Sequence, residues 1–137
     1  KILASLALML SVASAFPADI VRELPDCMSF NYNMYSGYLT VSQTKSLHYI
    51  FVHSMDDPVT DPIVMWFNGG PGSSSLIGFF QEHGPCIIDD GETRIKENPY
   101  PWNMRANTLY IESPAGVGFS YAGTVQDHKT NDMVQSQ

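Results

Sequence analysis

Positive charge is scarce in this sequence. Seven Lys and Arg stand against fourteen Asp and Glu, a formal net charge of −7 over 137 residues. No basic cluster or stripe is available to neutralise phosphates, which argues against nucleic acid as a partner. Cysteine is nearly absent too, with Cys27 and Cys86 alone. There is no C-x-x-C, and the cysteines and histidines lack zinc-ligand spacing, so no metal is expected. No G-K-[ST] ends the glycine-rich stretch, so a phosphate loop is not expected, and no cofactor is called for. No N-x-[ST] sequon occurs. No apolar run reaches the ~20 residues that cross a bilayer, so a permanent membrane anchor is not expected. Repeats and low-complexity segments are also missing.

What is present is globular. Hydrophobic residues make up 44% and aromatics 12% of the chain, enough to build a core and too many for a disordered segment. The length suits one domain or part of a larger one. The first residue is Lys1, followed by a short apolar stretch, Ile2 to Val12, and then Ala13-Ser14-Ala15. Charged start, apolar centre and small-residue site together predict a secretory signal peptide over residues 1–15. The remaining 16–137 are then one unit, bound for the secretory pathway, either extracellular or lysosomal/vacuolar. That compartment permits disulfides. Cys27 and Cys86 are free to bond with each other or with cysteines elsewhere, and sequence alone leaves both open.

The order of elements predicts an α/β sheet. Tyr35–Val41 and Ser46–Val52 are rich in β-formers and joined by a four-residue link, which predicts a hairpin. Residues 19–33 show no period and read as a surface lead-in with a turn at Pro25-Asp26. Ile63–Phe67 does not alternate, so it reads as a strand buried on both faces. A helix is expected from about Ser74 to Glu82 or His83, stopped by Gly84-Pro85. Asp89-Asp90-Gly91 signals a turn, and the two prolines of Asn98-Pro99-Tyr100-Pro101-Trp102-Asn103 exclude regular structure there. Thr108–Glu112 reads as a second central strand. A further helix is expected to start near Thr130. Hairpin, buried strand, helix, buried strand opens an α/β sheet that is left incomplete.

The most informative stretch is Trp66-Phe67-Asn68-Gly69-Gly70-Pro71-Gly72-Ser73-Ser74-Ser75. It joins a strand to a helix through glycines able to take φ > 0. Backbone N–H groups at such a turn, aided by a helix start, suit an anion, including the oxyanion of acyl transfer. A second glycine loop, Gly116-Val117-Gly118-Phe119-Ser120-Tyr121, follows the other central strand. Both therefore lie where open α/β sheets place ligands.

Four motifs in order now carry a resemblance. Tyr35-Ser36-Gly37-Tyr38, the Trp66–Ser75 turn, Asn98–Asn103, and Glu112-Ser113-Pro114-Ala115-Gly116-Val117-Gly118-Phe119-Ser120-Tyr121 together resemble the N-terminal part of serine carboxypeptidases. These are secreted or lysosomal/vacuolar enzymes with the α/β-hydrolase fold. The resemblance implies that Gly70 supplies an oxyanion-hole N–H. It implies that Asn68 and Gly69 bind the substrate's C-terminal carboxylate, that Trp66 supports them, and that Glu82 joins the same network. A glutamate beside a substrate carboxylate must share a proton with it, because two like charges repel. Binding would then be best at acidic pH and weaken as pH rises. Substrates would be the C-termini of peptides or proteins, cleaved through an acyl-enzyme.

The nucleophile is not in view. No serine satisfies G-x-S-x-G. Ser120-Tyr121-Ala122-Gly123 imitates the family's nucleophile, but Phe119 stands where its glutamate belongs. The oxyanion loop precedes the nucleophile strand in this fold, so serine, acid and histidine are expected later than residue 137, and this piece is expected to be inactive alone. His48, His53, His83 and His128 read as ordinary residues. Ser73 stands where the family usually has a disulfide cysteine, which puts that bridge in doubt. The rival readings are a carboxypeptidase-like acyltransferase, which the presence of Asn68 disfavours, and a non-catalytic binding protein on the same fold.

Overall fold

The computed structural model describes residues 17–27 and 31–128. The expected signal peptide and the helix near Thr130 lie outside the described residues. Among the described residues there are eight strands: β1 (Ile20–Val21), β2 (Met34–Thr40), β3 (Lys45–Val52), β4 (Ile63–Trp66), β5 (Cys86–Ile87), β6 (Lys96–Glu97), β7 (Asn107–Ile111) and β8 (Tyr121–Ala122). The main sheet runs β1-β2-β3-β7-β4, with β8 also paired to β3.

The hairpin is as expected. β2 and β3 pair antiparallel in a register that sets Tyr38 opposite His48 and Tyr35 opposite Phe51. Their rings meet at 5.5 Å and 6.3 Å between centroids, the cross-strand contacts that hold such pairs in register. β7 pairs antiparallel with β3 and parallel with β4. A parallel pair needs a long crossover, and the chain from the glycine turn to Ala106 supplies it. That crossover carries the site.

Three features differ from the sequence reading. The lead-in contains β1, which extends the sheet beyond β2. Two residues are too short to show a period, and only the neighbouring strand defines them. β5 and β6 form a separate two-stranded sheet for the same reason. β4 is not buried on both faces: Ile63 and Met65 are 63% and 55% exposed. It pairs on one side only among the described residues, and its outward face has no described layer over it. A non-alternating apolar run says that both faces are apolar, not that both are covered.

The helix after the turn is also wound differently. A single α turn at Leu76-Ile77 leads into a π-helical segment, Gly78–His83. Gly78 sits directly under the Trp66 indole, where a Cβ would overlap the ring nitrogen. This close approach fixes the segment against β4. Phe79, fully buried, joins Met34, Ile50, Val52 and Tyr110 in the core. The segment ends at Gly84, followed by Pro85, as the sequence suggests.

Cys27 and Cys86 are bonded to each other, with Cα atoms 6.2 Å apart. The bridge ties the lead-in to the start of β5. Among the described residues no helix is long and apolar enough to cross a membrane.

Candidate active site

The site begins where β4 ends. Trp66 Nε1–H donates to Asn68 Oδ1 at 2.7 Å, and the Gly78 N–H donates to the same oxygen at 3.3 Å. Two donors on one oxygen fix which way the amide points. The Asn68 Nδ2 group is left as a pair of donors with no partner among the described residues. The Asn68 backbone N–H is held by Ser75 Oγ at 3.1 Å, and Ser75 in turn donates to the Ile111 carbonyl at 2.5 Å. The turn is thus pinned across to the end of β7.

Gly70 follows with φ +132°, a conformation that glycine tolerates and L side chains rarely adopt. The space a Cβ would fill lies 3.1 Å from Gly72 N and 3.3 Å from Ser73 N. Among the described residues the N–H groups of Gly70 and Gly72 donate to no group, whereas Ser73 N–H closes onto the Gly69 carbonyl at 3.4 Å. Gly69, Gly70 and Gly72 are exposed. Exposed amides of this kind on a glycine turn are available to an anion. Helical winding begins at Leu76 and runs on through the π-helical segment to His83, close to the expected span, and the exposed donors beside Gly70 are those of the turn ahead of it.

Trp66, Asn68, Gly69 and Gly70 are therefore brought together as one unit. Glu82 is not joined to them. It is exposed on the helical segment and makes no hydrogen bond to Trp66 or Asn68.

The next residue is more intimately placed. His83 is buried, stacked on Trp102 at 3.9 Å and edge-on to Trp66 at 4.4 Å. The Asn98–Asn103 motif brings Trp102 there. Asn98 Nδ2 donates to the Gly84 carbonyl at 2.9 Å, and Asn103 Nδ2 to the His53 carbonyl at 3.2 Å. His83 Nδ1 lies 3.0 Å from Tyr110 Oη. Burial pushes the Tyr110 phenol up to about 12, so the hydroxyl stays protonated beside His83 Nδ1. His83 Nε2 is buried without a hydrogen-bond partner among the described residues.

Burial holds the His83 pKa below the usual histidine range, opposed by the nearby Glu82 charge, and His53 is lowered by burial as well. The unfolded chain then binds more protons than the folded one between the depressed values and about 6.5. Stability from these groups is complete above that pH and is lost as pH falls. We predict a lower urea midpoint for the full-length protein at pH 5.5 than at pH 7.5, with a smaller difference in His83→Gln. An equal or larger difference in that variant would contradict the assignment.

Sequence reasoning missed one cluster. Glu112 at the end of β7 is fully buried. Its Oε2 faces His48 Nδ1 at 3.0 Å and accepts from Phe119 N–H at 2.8 Å, while Ser74 Oγ donates to Oε1. His48 Nε2 lies 2.9 Å from Ser36 Oγ. The order hydroxyl, imidazole, carboxylate resembles a hydrolase relay. Ser36, however, stands mid-strand in β2, not on the strand-to-helix turn that presents such a nucleophile. A glutamate directly after the apolar Leu109-Tyr110-Ile111 run was the available signal. Ser120 is buried and its hydroxyl is fully engaged: it donates to the Glu112 carbonyl at 2.6 Å and accepts from His48 N–H at 2.7 Å.

Sheet, crossover and turn together are those of an incomplete part of an α/β-hydrolase fold. The family model for serine carboxypeptidases matches residues 25–137, and the chain belongs to that family. It is 48% identical over 132 residues to the lysosomal protective protein of Mus musculus, covering 93% of this chain and 28% of that protein. It is 45% identical over 130 residues to serine carboxypeptidase ctsa-3.1 of Caenorhabditis elegans, covering 91% and 22%. Among solved structures it is similar to a prohormone-processing carboxypeptidase of Saccharomyces cerevisiae, with a TM-score of 0.57 and 27% identity over 73% of this chain and 23% of that one. The chain thus spans 22–28% of the length of these curated relatives.

Proposed function

We propose that this chain carries the oxyanion and carboxylate-binding side of a serine-type carboxypeptidase. The complete enzyme releases C-terminal residues from peptides through an acyl-enzyme. Serine, histidine and acid come from polypeptide outside these residues, and the 137-residue piece alone is inactive. Residues 1–15 direct the protein into the secretory pathway, to an extracellular or lysosomal/vacuolar destination.

In the reaction, the serine attacks the scissile carbonyl and the histidine takes its proton. The Gly70 N–H receives the oxyanion, with a second donor just after the nucleophile. Asn68 Nδ2 and the Gly69 N–H hold the substrate carboxylate, and Trp66 fixes Asn68. Glu82 shares a proton with that carboxylate after its side chain turns toward Asn68 on binding. The observation that carries this reading is the pairing of an unbonded Gly70 N–H with an Asn68 amide whose oxygen is already occupied.

The test is hydrolysis of blocked dipeptides by the full-length protein. A free C-terminal acid is expected to be cleaved and the matching C-terminal amide to be cleaved poorly. KM for the acid rises with pH, and Glu82→Gln flattens that rise. Acyl transfer from an acyl-glucose donor without peptide release would replace the peptidase reading with the acyltransferase one. No turnover of either substrate would favour a binding protein.

A further inference from the structure

The glycine turn is clamped from below by two adjacent serines on two adjacent residues. Ser75 Oγ donates to the Ile111 carbonyl, and Ser74 Oγ donates to the Glu112 carboxylate. Ser74 Oγ also accepts the Leu76 N–H at 3.2 Å, so one hydroxyl links the carboxylate to the first helical turn. The other carboxylate oxygen is held by Phe119 N–H and His48, and the imidazole is itself oriented by Ser36. The carboxylate is seated against Gly118, where φ is +53° and a Cβ would overlap it. One buried group therefore joins both glycine loops to the centre of the sheet.

Taking a carboxylate fully out of water costs several kcal/mol unless its lone pairs are served. Here three donors serve it, and an apolar residue in its place would lose the contact to the turn. Buried polar groups are kept in some proteins for the geometry they specify.

We propose that Glu112 is the positioning residue of the anion-binding turn, acting through Ser74 to hold the Gly70 amide in place. This rests on the reading of that turn as an oxyanion hole. An interaction that matters only when the oxyanion forms is felt in kcat and not in KM.

The experiment uses the full-length protein with Glu112→Gln, Ser74→Ala and Ser74→Thr. A displacement of about 1 Å at a reacting centre costs on the order of 10²-fold. Glu112→Gln and Ser74→Ala are expected to lower kcat by roughly 10–100-fold, with KM for a blocked dipeptide within about threefold. Ser74→Thr keeps the hydroxyl and the rate. The double variant is no worse than the poorer single one, because both cut the same link. Amide hydrogen exchange gives a readout free of activity. It should rise for residues 66–80 in both damaging variants and stay unchanged in the β2–β3 hairpin. If Glu112→Gln does not fold, Ser74→Ala against Ser74→Thr decides. Unchanged kcat and unchanged exchange in Ser74→Ala would overturn the proposal, as would exchange rising equally everywhere. If the wild-type protein releases no C-terminal residue, the carboxypeptidase reading fails and the exchange pattern alone decides the clamp.

Discussion

Replacing Gly70 with alanine in the full-length protein is expected to lower kcat by about 10²–10³-fold while KM stays near its original value. Two independent facts lead there. First, φ at Gly70 is +132°, which an L side chain occupies only at a cost of order 1–3 kcal/mol. Second, the added methyl would sit 3.1 Å and 3.3 Å from the Gly72 and Ser73 nitrogens, closer than ordinary contact. Both are relieved by rotating the peptide plane that carries the Gly70 N–H. The donor then leaves the oxyanion's position. Ground-state contacts of the substrate carboxylate involve Asn68 and Gly69 in this account, so they survive. Steady-state kinetics on a blocked dipeptide checks this. A rise in KM at constant kcat would mean that Gly70 binds substrate and does not serve the transition state.

The second large effect concerns the bridge between Cys27 and Cys86. The two are 59 residues apart in sequence, so the bond closes a long loop and removes much freedom from the unfolded chain. Loop-entropy reasoning assigns such a bridge about 4 kcal/mol. Replacing both cysteines with serine in the full-length protein is expected to lower its unfolding free energy by about that amount, read from denaturant unfolding curves, with a steeper slope because the unfolded chain expands. The loop encloses β2, β3, β4 and the glycine turn, so the loss falls on the whole unit. An unchanged midpoint would show that the unfolded chain is already confined without the bond.

Much of this was legible because local chemistry and fold agreed. The hairpin is rich in aromatic and β-branched residues, and its short link favours pairing of the two strands. The turn was legible because Gly69, Gly70 and Gly72 sit between two apolar runs. What was hidden is long-range. The His48–Glu112 pair joins residues 64 apart in sequence, and neither local pattern names the other. β1, β5 and β6 have two residues each and exist only through their partners. The π winding at Gly78 depends on a tryptophan twelve residues earlier in the chain. The outward face of β4 misled for a different reason: apolar composition reports what a surface can accept, and Ile63 and Met65 are exposed here. The roles of all five candidate residues came from the family resemblance; Trp66, Asn68, Gly69 and Gly70 share one contiguous motif, whose glycine turn the sequence singles out by itself, and Glu82, outside it, stands apart from the others in the structure.

The central claim is that the amides of this turn receive the negative charge of an acyl-transfer intermediate. A crystal structure of the full-length protein with a peptide boronic acid, which forms a tetrahedral adduct on an active serine, tests it directly. The account predicts an adduct oxygen about 2.7–3.1 Å from Gly70 N, with the analogue's terminal carboxylate on Asn68 Nδ2. An adduct whose oxygen points away from Gly70 and is held by other donors would contradict it.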